Sequence, residues 1–148
     1  VNIAGCRSAK DRMLAGLRIL SEDQVAWSAF SLANRAMFMQ RVHLKLQSDT
    51  ADKDRYPGDE SLTKLLEAVD YSVSDGITGD NYFWRLFQIA FLLMSIESVT
   101  NDSAPDRDIV DLIWFPTGGG KTEAYLGLTA FAIFYRRLRI LLIRTEQL

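Results

Sequence analysis

One cysteine and one histidine in 148 residues remove two classes of protein at the outset. A lone thiol, Cys6, cannot close an internal disulfide, so the chain is no disulfide-stapled scaffold and fits a reducing cytosol. With no histidine partner in sequence, Cys6 reads as inert. His43 has no cysteine or carboxylate at ligand spacing and reads as a surface or helix-packing residue rather than a metal ligand. No cleavable leader is expected in residues 1–20, because Arg7, Lys10, Asp11, Arg12 and Arg18 interrupt them. The longest strongly apolar runs, 86–94 and 124–135, are too short to span a bilayer, so no membrane partner is expected and a cytoplasmic location is. Charge of one sign is lacking too. Seventeen Lys+Arg against nineteen Asp+Glu leave a net charge of −2, and no overall basic field argues for nucleic-acid binding.

What is present lies near the end of the chain. Ile109-Val110-Asp111-Leu112-Ile113-Trp114-Phe115 is an apolar run, Pro116 to Gly120 a glycine-rich turn, and Lys121-Thr122 opens a helical pattern. That order of strand, loop and helix is what a phosphate-binding loop requires, with backbone N–H groups and a helix N-terminus converging on one triphosphate. Gly118, Gly119 and Gly120 allow the backbone to curl tightly and approach phosphates without a Cβ clash. Lys121 would reach the β- and γ-phosphates and carry the catalytic charge, and the Thr122 hydroxyl would hold Mg²⁺. A glycine-rich turn before an ordinary helix is the bland alternative, and three glycines followed by Lys-Thr weigh against it.

The general phosphate-loop pattern begins with glycine where this chain has Phe115. Pro116-Thr117-Gly118-Gly119-Gly120-Lys121-Thr122 instead resembles the first motif of superfamily 2 helicases and translocases, which adds Thr117 to the expected nucleotide-binding residues. Phe115 departs from that motif's usual small first residue. The chain has the length of one ordinary domain, and 48% hydrophobic residues suffice for a core. It is too short for a motor of two RecA-like domains. No Asp-Glu-x-x motif follows the loop, no second-domain arginine motif is present, and the first residue is Val. A fragment of a longer protein is the expectation.

Met13, Leu14, Leu17 and Leu20 give residues 5–20 helical character. Ser21-Glu22-Asp23-Gln24 reads as a capping box opening a long helix to about Gln47. Residues 48–60 are polar and carry Pro57-Gly58. Leu62, Leu65, Leu66 and Val69 make a short amphipathic helix, and 72–80 is a loop with Gly76 and Gly79. A strongly apolar helix is expected from Asn81 to about Val99, a second over Thr122–Leu138, and a strand over Ile140–Ile143. The expected fold class is therefore α/β: a helical N-terminal region, 1–72, then the first β-α-β unit of a RecA-like P-loop NTPase domain, truncated, over 81–148.

Gln88 lies upstream of the loop, in Trp84-Arg85-Leu86-Phe87-Gln88. Superfamily 2 enzymes carry an upstream glutamine whose amide, with donor and acceptor side by side, pairs with the adenine edge; a solvated glutamine on an amphipathic helix is the competing explanation. Arg85 is a candidate for the same pocket or a simple surface charge. Arg136, Arg137 and Arg139 read as cations meeting a helix C-terminal dipole rather than as DNA contacts.

Residues 83–93 and 110–128 together are similar to the helicase subunit of DISARM bacterial anti-phage systems, the DrmA family, and the stretch 29–37 is similar to it as well. The phosphate-loop part is the specific one. That resemblance implies a large superfamily 2 ATPase that uses ATP and Mg²⁺, acts on DNA and works with a second defence-system subunit. Gly118 to Thr122 would cradle the phosphates and Gln88 would read adenine. A glycine is expected between the last helix and the next strand, yet Arg139 runs straight into Ile140-Leu141-Leu142. Residues 140–148 therefore carry little weight. Two other readings stay open: a P-loop ATPase of another class with no nucleic-acid track, and a non-enzymatic module that docks a partner.

Overall fold

The computed structural model describes residues 3–51, 63, 64, 67, 83–114, 116 and 118–145. Thr117 and Phe115 lie outside the described residues, as does the loop expected at 72–80 and all but three residues of the region around the short helix expected near 62–69. Regular structure among the described residues is helical: α1 (Ile3–Glu22), α2 (Gln24–Ala51), α3 (Leu86–Thr100), a 3-10 turn (Pro105–Asp108) and α4 (Lys121–Thr145). Two compact units divide the chain, Val1–Asn34 with Trp84–Leu148, and Arg35–Phe83. The glycine-rich loop belongs to the first.

α1 and α2 are separated by one residue, Asp23, whose Oδ1 accepts from the Val25 and Ala26 N–H groups at 2.8 and 3.1 Å. The cap is thus Asp23 and not Ser21, whose hydroxyl donates to the Arg18 carbonyl of its own helix. A carboxylate two and three residues ahead of those amides is the stronger acceptor and wins the N-cap. Beyond it Ala26, Ala29 and Ala33 form a small-residue stripe in a core shared with Leu20, Ile96, Phe131 and Tyr135. α1 packs closely on α3, where Gly16 lies against the carbonyl of Leu93 with no space for a Cβ. α3 also packs on α4, and the Phe91 and Tyr125 rings meet edge to face at 5.7 Å.

The α/β expectation is overturned. No strand, and so no β-α-β unit of a RecA-like domain, exists among the described residues. Ile109 is extended (φ −86°, ψ 128°), but residues 109–114 form no ladder, and an extended run becomes a strand only when a neighbour takes its N–H and C=O groups. Ile140–Ile143, expected as a strand, is helical instead. α4 runs through it to Thr145, whose hydroxyl contacts the carbonyls of Leu141 and Leu142. With no glycine after Leu138 to end the helix, leucine and arginine simply continue it. α3 begins at Leu86 rather than Asn81, and Arg85 (φ −68°, ψ 149°) supplies its extended N-cap. No described helix is long and apolar enough to cross a membrane.

Candidate phosphate-binding loop

The turn between Trp114 and α4 is shaped by its glycines. Gly118 and Gly120 have φ of +78° and +86°, a left-handed conformation in which other residues are strained. Gly119, between them, does not share it, so the sign of φ alternates along the loop, as in backbone curls that gather N–H groups around an anion. Gly119 N–H donates to the Pro116 carbonyl at 3.0 Å. The Lys121 ammonium folds back to donate to that same carbonyl at 3.1 Å, which keeps the cation at the loop. Lys121 is also the first residue of a 25-residue helix, whose opening amides lack intrahelical acceptors and carry partial positive charge. Thr122 is exposed in that first turn, followed by Glu123.

Gln88 is buried, at 5% exposure. Its Oε1 accepts from the Arg85 N–H at 2.8 Å and its Nε2 donates to the Gly120 carbonyl at 2.7 Å. The structure therefore brings Gln88 to the loop, as an amide that bonds loop backbone. Arg85 joins it, donating from Nη1 to the Gly119 carbonyl at 2.9 Å. A Cβ on Gly120 would stand 2.6 Å from Gln88 Nε2 and 3.4 Å from Glu123 Oε2, so a side chain there is strained by conformation and also displaces the end of the Gln88 side chain.

Two further contacts position the site and escaped sequence reasoning. Trp84 donates from Nε1 to Asn34 Oδ1 at 2.6 Å, and its ring lies on Gly127 of α4, where a Cβ would come within 2.6 Å of Cη2. Arg12 of α1 forks onto both oxygens of Asp111 at 2.7 Å and pairs with Asp106 at 2.9 Å. That grip fixes the segment entering the loop. Hydrogen bonding to Arg12 holds the Asp111 carboxyl below the usual carboxylate range despite the opposing effect of partial burial. No periodicity joins Arg12 to a residue ninety-nine positions on, so no sequence signal marks this pair. Among the described residues no group of three or more His, Cys, Asp or Glu is arranged to hold a metal; one hydroxyl beside a phosphate loop is a different arrangement, in which phosphate oxygens and water supply most ligands of Mg²⁺.

Over 138 residues, 92% of its length, the chain is 38% identical to the DISARM protein DrmA of Bacillus paralicheniformis. The chain is related to DrmA. It spans 11% of that protein's length. No family model matches it, and no solved structure does.

Proposed function

We propose that this DrmA-related chain carries the triphosphate-binding loop of an ATP-dependent DNA helicase or translocase serving a bacterial anti-phage defence system. The observation that carries the proposal is the loop itself. Alternating glycine φ, a lysine ammonium held at the turn and the N-terminus of a long helix meet at one place, and together they suit a polyanion. In this reading Thr117, Gly118 and Gly120 hold the phosphates through backbone, Gly119 braces the turn through its N–H to the Pro116 carbonyl, and Lys121 neutralises charge on the transferred phosphoryl group. The Thr122 hydroxyl would be the protein ligand for Mg²⁺, which would supply neutralising charge to the phosphates. Gln88 spends one donor and one lone pair on the protein. An amide has two of each, so one donor and one acceptor remain for the adenine edge.

The whole protein would supply what this chain does not, including the DNA track and the contact to a second defence subunit. A net charge of −2 supports placing DNA contacts elsewhere in that protein. The same charge favours the second reading, a phosphate-loop ATPase with no nucleic-acid track. Steady-state ATP hydrolysis by the full-length protein tests both. Lys121→Ala is expected to lower turnover roughly 10³-fold, and DNA is expected to stimulate the wild type. Near-wild-type turnover in the variant would remove Lys121 from the chemistry, and turnover indifferent to DNA would favour the second reading.

A further inference from the structure

We propose that Arg85 and Gln88 form a latch that holds the phosphate loop in its anion-accepting curl, whatever base the nucleotide carries. The proposal rests on the phosphate-loop reading above and assigns these two side chains to positioning. Their donors reach two consecutive carbonyls, Gly119 O from Arg85 and Gly120 O from Gln88. In a planar trans peptide the C=O and the following N–H point in opposite directions. Fixing those two carbonyls toward α3 therefore turns the N–H groups of Gly120 and Lys121 away from it, toward an incoming phosphate.

The Gln88 half of the latch is itself rigid. Gln88 is buried, and the Arg85 N–H occupies its Oε1, so the amide can present only its NH₂ side to Gly120. The adjacent Trp84 is pinned between Asn34 of α2 and Gly127 of α4, which ties the latch segment to the helix that begins in the loop. Arg85 adds a positive charge beside the triphosphate's place. A glutamine that only reads adenine would do none of this.

Inorganic triphosphate, which has no base, separates the two roles of Gln88. Its Mg²⁺-dependent binding to the full-length protein is measured for wild type, Arg85→Ala, Arg85→Lys, Gln88→Ala and Gln88→Glu, with ligand-free melting as a control for folding. Arg85→Ala and Gln88→Ala are each expected to weaken binding about tenfold, the size of one charge-assisted or buried hydrogen bond. Arg85→Lys should recover most of the loss, because it keeps a donor and the charge. Gln88→Glu should not, because a carboxylate facing the Gly120 carbonyl has nothing to donate. Wild-type affinity in all four variants would overturn the latch alone, even where Gln88→Ala discriminates ATP from GTP. No binding of triphosphate by the wild type would overturn the phosphate-loop reading and the latch with it.

Discussion

The two apolar stretches of α4, 124–135 and 140–143, have opposite fates. In the first stretch Ala124, Gly127, Phe131 and Tyr135 recur at three- and four-residue spacing and are all buried. They form one stripe, and α3, α2 and Trp84 cover it. In the second stretch Ile140, Leu141, Leu142 and Ile143 are consecutive, and each is about half exposed. Four adjacent residues point about 100° apart around the helix axis, so no single neighbour could cover them. Apolar content alone does not build a core; spacing matched to the helix does. The segment ahead of the loop repeats the lesson. Val110, Leu112 and Trp114 are 93%, 83% and 88% exposed, whereas Asp111 between them is gripped by Arg12.

Disturbing the ordered side of that contrast should cost most at Gly120. Alanine there meets both a φ of +86° and the Gln88 amide, and strain of about 1–3 kcal/mol plus displacement of the latch predicts about a hundredfold weaker triphosphate binding. Gly118→Ala meets the φ penalty with open space around its Cβ, and about tenfold is expected. Equal losses at the two positions, read by titration, would mean that Gln88 does not crowd the loop.

Arg12→Met comes next. It leaves Asp106 and Asp111 without their cation and should cost about 2–3 kcal/mol in chemical denaturation. The pH dependence has a definite sign. Asp111 has a folded-state value below its unfolded one, so its contribution is present above the ordinary aspartate range near 4 and fades as pH falls through the folded value. Denaturation from pH 7 to pH 3 should therefore show a loss of stability in the wild type that Arg12→Met has already undergone, giving it a flatter profile. Parallel profiles would count against the pair.

The smallest change in stability belongs to the exposed side. Leu112→Ser with Trp114→Ser should shift stability by no more than about 0.5 kcal/mol per site. The 148-residue chain by itself is expected to self-associate through such apolar surface, and the double substitution should move its size-exclusion profile toward monomer. A monodisperse wild-type monomer would show that these side chains are tolerated by water alone.

How much of this was legible beforehand follows the range of the interactions. The glycine turn and the helix start at Lys121 were legible because glycine conformation and a helix start are local chemistry. Gln88 stood out by its place ahead of the loop, but its bond to the Gly120 carbonyl, thirty-two residues on, did not, and Arg85 remained divided between pocket and surface. Trp84 on Gly127 and Arg12 on Asp111 join distant positions through packing, which no pattern along one chain encodes. The strand expected at 109–115 forms no ladder over its described residues 109–114, and the one expected at 140–143 is helical, for the complementary reason. An apolar run carries strand propensity, but a sheet needs partners, and at 140–143 helix continuation costs less than leaving an extended segment unpaired.

The most direct test of the central claim is equilibrium binding of a fluorescent ATP analogue to the full-length protein in the presence of Mg²⁺. Saturable binding that inorganic triphosphate displaces and Lys121→Ala abolishes is the predicted result. Absence of saturable binding, or affinity unchanged by Lys121→Ala, would contradict it.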